Sequence, residues 1–205
     1  MDGRIALCAA ALAALGIGVG FAILPRSGEP PTIAGFVYPE PKTISPFKLV
    51  EHDGRRFDLD ALKGKWSFVY FGYTYCPDVC PTTLAELSRA QKLLEQAGSD
   101  GGNQYFFVSV DPQRDTPQRL AQYVSFFGRT FVGATGSDEA LAKFTQDVGV
   151  VYSFPQGRSG GSYVVDHSST VALFDPDARL CAVFTSPQHA EEMVEGFRRI
   201  LERRR

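Results

Sequence analysis

Methionine is almost missing from this 205-residue chain, which holds only Met1 and Met193, so a thioether-rich metal site is excluded. Histidine is nearly as scarce, with three copies, and no H-E-x-x-H pattern occurs, which argues against a zinc hydrolase. Net charge is also lacking: 21 basic side chains stand against 23 acidic ones. Nothing in that balance suggests nucleic acid or a strongly charged membrane surface as partner. No internal repeat or low-complexity block competes with the reading of one well-buried domain plus appendages.

Charge is absent in one further place. Residues 5–24 form a run of 20 without a charged side chain, between Arg4 and Arg26. That length spans a bilayer and exceeds a signal-peptide core of about 7–15 residues. An uncleaved anchor over residues 1–25 is therefore expected, with the N-terminus in the cytoplasm and the domain outside. A cleaved signal peptide is the alternative. Cys8 falls inside this run as a small lipid-facing or packing residue. Six prolines follow between positions 25 and 46, which suits an extended tether over residues 26–46 and a folded unit over residues 47–205. The arginines at 198, 199 and 203–205 complement the end of a last helix.

The pattern of the folded unit begins with a short hairpin, 47–50 and 56–57, turned at Asp53-Gly54. A buried strand over 66–71 and a helix over 82–97 come next. A nearly continuous apolar strand at 104–110 reads as parallel and buried on both faces, and a helix at 117–127 has Pro at its first position. Ser137 caps a helix over 138–148. Strands at 168–174 and 180–185 and a helix from 187 to the end close the chain. This is an α/β order with the plan of a thioredoxin fold, which places a site at the carboxyl end of the first parallel strand.

Two of the four cysteines, Cys76 and Cys80, stand at that point, in Tyr73-Thr74-Tyr75-Cys76-Pro77-Asp78-Val79-Cys80-Pro81. At i and i+4, the C-x-x-x-C spacing puts the two sulfurs on one helical face, close enough to bond each other or share an ion. A purely structural bridge gains little from so short a loop, so a redox or soft-metal role is favoured. Two thiolates leave a metal short of donors. His52 and His189 fall in turns where solvated histidines need no function. His167 lies where a loop enters a buried strand, beside Asp166, and position alone leaves it open between ligand and ordinary loop residue. Two thiolates and an imidazole suit Cu(I) and can hold Cu(II), with zinc also possible. Asp111 and Arg114 lie at the same sheet edge, either as a helix entry or as groups that set the local field or meet a partner. Cys181 reads as a buried strand thiol.

Three blocks, FGYTYCPDVCP at 71–81, VSVDPQRDTP at 108–117 and VDHSSTVALFDPD at 165–177, resemble the Sco/SenC family of membrane-anchored copper proteins. The resemblance implies a thioredoxin-like domain behind an N-terminal transmembrane anchor, in a bacterial inner membrane with the domain facing the periplasm. It also implies one copper per chain, Cu(I) or Cu(II), on Cys76, Cys80 and His167. The implied partner is subunit II of cytochrome c oxidase, with a separate copper donor and thiol reductant. Copper delivery to the dinuclear centre of that subunit, or reduction of its cysteines through a reversible Cys76–Cys80 disulfide, would be the function. A peroxidase is disfavoured, because P-x-x-x-T-x-x-C needs Pro and Thr where the chain has Val69 and Tyr73. Ala178 departs from the family, which more often has Gly there.

Overall fold

Strand β4 (Ser67–Gly72) is buried at all six positions, and β5 (Gln104–Ser109) runs parallel beside it, in register from Ser67 opposite Gln104 to Gly72 opposite Ser109. Apolar side chains on both faces of this pair demand cover on both sides, and the remaining elements supply it. The computed structural model describes residues 35–99, 101–155 and 163–204, all within the unit Ile33–Arg205. The expected anchor and Cys8 lie outside the described residues. Among the described residues, no helix is long and apolar enough to cross a membrane.

The strands β1 (Gly35–Lys42), β2 (Leu49–Glu51), β3 (Arg56–Phe57), β6 (Phe131–Thr135), β9 (Val171–Phe174) and β10 (Leu180–Phe184) complete an eight-stranded sheet. Its order is β1-β10-β9-β4-β5-β6-β2-β3. The pair β5–β6 is parallel, whereas β9 runs antiparallel to β4, with Tyr70 opposite Val171. A two-stranded ribbon, β7 (Tyr152–Ser153) with β8 (Asp166–His167), stands apart. The helices are α1 (Val79–Gln96), α2 (Pro117–Ser125), α3 (Asp138–Val148) and α4 (Ala190–Glu202).

Alternation along β4 sorts the core into two layers. Phe68 packs on Tyr105, Phe184 and Phe197 of α4, while Phe71 meets Phe144 of α3, which also stacks on Phe47. Each fully buried ring contributes about 2–3 kcal/mol by leaving water. The helix starts follow from their caps: Thr116 accepts from Arg119 N–H ahead of Pro117, and Ser137 accepts from Ala140 N–H.

Two sequence expectations shift. Residues 35–42, read as tether, form β1 along β10, because prolines are tolerated on an edge strand where no ladder bond is lost. The first helix starts at Val79, three residues before the expected point. Pro81 does not stop it, since its missing N–H falls among first-turn groups that have no intrahelical partner.

Ala178 holds the left-handed conformation, with φ 60°, at a cost of about 1 kcal/mol for a residue with a Cβ. Asp175 offsets that strain. Its buried carboxylate accepts from the backbone N–H groups of Asp177 and Arg179 at 3.0 and 2.9 Å and from the guanidiniums of Arg179 and Arg204 at 3.0 and 2.8 Å. Burial pushes the carboxyl up, but the Arg179 N–H and the two guanidiniums pull it further down, so it lies below the ordinary value. A depressed folded pKa adds stability above the unfolded value, near 4, and loses it as pH falls through the folded one. Asp175→Asn should cost about 2 kcal/mol at neutral pH, and denaturant melts should show the gap to wild type closing toward pH 2.

Candidate metal centre

Chain topology brings three loops to one end of the sheet. Gly72 closes β4 and leads to Cys76. Ser109 pairs with Gly72, so the loop 110–116 starts beside it. Val171 enters antiparallel against Tyr70, so His167, four residues earlier, arrives at the same end.

Cys76, Cys80 and His167 place one sulfur or nitrogen atom each within 4.8 Å of one another. Cys80 Sγ lies 3.3 Å from His167 Nε2. The other ring nitrogen, Nδ1, lies 3.2 Å from the Ser168 carbonyl, which as acceptor fixes the proton on Nδ1 and turns the Nε2 lone pair toward the sulfurs. The neighbouring carboxylate, Asp166, is exposed, and a backbone carbonyl orients the ring instead. The imidazole is held edge-on by Tyr73, 5.8 Å away between centroids.

The two cysteines do not share a helix face, contrary to the spacing argument. Cys76 precedes α1 in a turn closed by its own N–H to the Tyr73 carbonyl, and its sulfur accepts the Cys80 N–H at 3.4 Å. It thus occupies the place of a capping group, while the Asp78 side chain makes no cap bond. The geometry makes the thiols unequal. The Cys80 thiol and the backbone N–H groups of Asp78 and Cys80 stabilise negative charge on Cys76 against the effect of burial, and hold it well below the ordinary thiol range. The Cys80 thiol is pushed up, first by that neighbouring sulfur and then by burial. The pair therefore favours negative charge on Cys76, 9% exposed, over Cys80, fully buried.

The other candidates separate cleanly. His52 is no free turn residue: its Nδ1 accepts the Gly133 N–H at 2.9 Å, tying the β2–β3 turn to β6. His189 is exposed at the start of α4. Cys181 is buried with its thiol on the Arg179 carbonyl, and burial raises its pKa to about 12. Asp111 is fully buried against Arg114, and the Arg114 guanidinium lies 3.5, 4.8 and 5.5 Å from the ring centres of Tyr163, Tyr75 and Tyr73. That pair is scaffold for the cysteine loop, not a surface awaiting a partner. Sequence reasoning missed Tyr70, whose fully buried ring stands 6.4 Å from the His167 ring between centroids. Burial first, and then the Cys80 sulfur, keep its hydroxyl protonated. It also missed Asp115 and Thr74, although both lie inside the motifs singled out.

A thioredoxin-like sheet that gathers a thiolate, a thiol and an imidazole at one end defines a soft-metal or thiol-redox protein. The SCO1/SenC family model matches residues 38–202, and the chain belongs to that family. A SCO2-like protein of Rickettsia prowazekii is 32% identical over 188 residues, which cover 90% of this chain and 91% of that one. The mitochondrial SCO2 homolog of Bos taurus is 35% identical over 153 residues, 75% of this chain but 58% of that protein. The crystal structure of Arabidopsis thaliana ScoI with copper bound superposes with a TM-score of 0.71 at 33% identity, covering 78% of this chain and 98% of that one.

Proposed function

We propose that this protein carries one copper ion on Cys76, Cys80 and His167 and delivers it to the dinuclear centre in subunit II of cytochrome c oxidase. The observation that carries the reading is the convergence of three soft donors within 4.8 Å, with Nε2 of His167 turned inward by the Ser168 carbonyl. Copper is cargo here. Cys76 offers a thiolate at once, Cys80 gives up its proton on binding, and the imidazole adds the nitrogen donor that Cu(II) favours. The anchor reading of residues 5–24 would hold the domain on the periplasmic side of a bacterial inner membrane, within reach of a membrane-bound oxidase.

A second reading has its own support in the inequality of the thiols. The Cys76 thiolate would attack a disulfide of subunit II, forming one mixed S–S bond and releasing one partner thiolate. Cys80, deprotonated, would then attack the Cys76 sulfur and free the second partner thiolate. Two electrons pass to the partner, and Cys76–Cys80 becomes the disulfide. The two activities exclude each other on one molecule at one moment, since a disulfide offers no thiolates.

Copper stoichiometry and transfer to an apo subunit II fragment decide between them. Reduced protein should bind one copper and pass it on, and protein oxidised at Cys76–Cys80 should bind none. His52→Ala and His189→Ala should bind as wild type does. Transfer of electrons without copper uptake would reject the chaperone reading.

A further inference from the structure

Asp115 is fully buried, as Asp111 and Asp175 also are, but those two are paired directly with arginines at 2.5 and 2.9 Å. Its carboxylate accepts three hydrogen bonds: Thr74 N–H at 2.8 Å and Ser109 O–H at 2.6 Å on one oxygen, and Thr74 O–H at 2.6 Å on the other. Among the described residues Arg119 pairs with it only at 4.0 Å and is itself 41% exposed, so direct charge pairing does not account for the burial. An unneutralised carboxylate costs stability that an apolar residue would not. What this one does, besides taking the Ser109 hydroxyl, is hold Thr74 by both its backbone and its side chain.

Thr74 is the residue held, two positions before Cys76. Its hydroxyl proton is committed to Asp115 while its oxygen accepts Arg119 Nε at 2.6 Å, and the Arg119 guanidinium lies 3.9 Å from the Tyr75 ring centre. The neighbouring turn is closed by the bond from Cys76 N–H to the Tyr73 carbonyl. Cys76 precedes α1, so no helical hydrogen-bond ladder fixes its position. We infer that Asp115 is a positioning residue for the metal centre: through Thr74 it clamps the Cys76 loop so that the sulfur stays in place against Cys80 and His167. The inference rests on the copper reading above, because it assigns the clamp to that site.

Asp115→Asn leaves one acceptor oxygen for three donors, so at least one arm of the clamp is lost. Thr74→Val removes the hydroxyl at nearly constant shape. Ser109→Ala is the comparator, because it takes one bond from the carboxylate without touching Thr74. Full-chain protein loaded with Cu(II) should release the ion to EDTA about tenfold faster in Asp115→Asn and Thr74→Val, a change of about 1.4 kcal/mol in barrier. The double variant should be no faster than the quicker single one, as expected for two residues acting through one contact. Ser109→Ala should stay within about twofold of wild type even if its melting temperature falls. Wild-type release from Asp115→Asn, equal acceleration by Ser109→Ala, or multiplicative effects in the double variant would each overturn the inference. If Asp115→Asn does not fold, Thr74→Val against Ser109→Ala decides alone. If wild type takes up no copper, the chaperone reading fails by itself and the clamp is judged from thiol–disulfide equilibrium with glutathione. There the Cys76–Cys80 disulfide should be about tenfold easier to reduce in Asp115→Asn and Thr74→Val, and an unchanged equilibrium would reject it.

Discussion

His167→Ala is expected to abolish the Cu(II) absorption spectrum and oxidase maturation while leaving dithiol reactivity within about tenfold of wild type, or about 1.4 kcal/mol of barrier. The asymmetry follows from what the imidazole does. It is the only nitrogen donor in the group of three, and two thiolates alone retain Cu(I) in linear geometry but hold Cu(II) poorly. Thiol reactivity rests mainly on the Cys76 thiolate, which is stabilised first by the Cys80 thiol and then by two backbone N–H groups. Those survive the substitution. Normal oxidase assembly by His167→Ala would turn the balance to the reductase reading.

The central part of this fold was legible because its signals are local. Continuous apolar runs made β4 and β5 readable as buried parallel strands, and helix starts were marked by Ser137 through a short-range hydrogen bond and by Pro117 through its fixed φ and missing N–H. What was not legible depends on pairing. β6 (Phe131–Thr135) contains Gly133, where a Cβ would stand 2.9 Å from Leu120 Cβ; the glycine interrupts the apolar pattern yet is what lets α2 settle on the strand. β1 carries two prolines and has strand identity only through β10. The ribbon β7–β8 consists of two residues on each side, too short for any periodicity.

The same division holds at the centre. Cys76, Cys80 and His167 were named from motif and resemblance, and they converge. Their arrangement was misread, because C-x-x-x-C was taken for a helical spacing although the helix takes in only Cys80. Asp115 went unnoticed since its partner Thr74 lies 41 residues earlier, and nothing in the local sequence distinguishes a carboxylate that clamps a distant loop from one that precedes a helix.

Gly72→Ala should damage the site more broadly than loss of the histidine. A Cβ at this last residue of β4 would stand 2.6 Å from Cys80 Sγ and 3.0 Å from Phe107 Cε2. Neither neighbour yields easily: Phe107 is fully buried, and the sulfur sits one torsion away from a backbone fixed in the first turn of α1. Relief requires Cys80 to leave its rotamer, which takes the sulfur away from His167, now 3.3 Å distant. Overpacking of this kind costs about 1–3 kcal/mol, or roughly 2–12 °C in melting temperature for a domain of this size. Copper affinity should drop about a hundredfold or more, near 2.7 kcal/mol. Unlike His167→Ala, the loss should extend to Cu(I), because a thiolate donor and not the imidazole is displaced. Copper titrations of the folded variant with both oxidation states test this, and retention of wild-type Cu(I) affinity by Gly72→Ala would show that Cys80 can reach the ion from another rotamer.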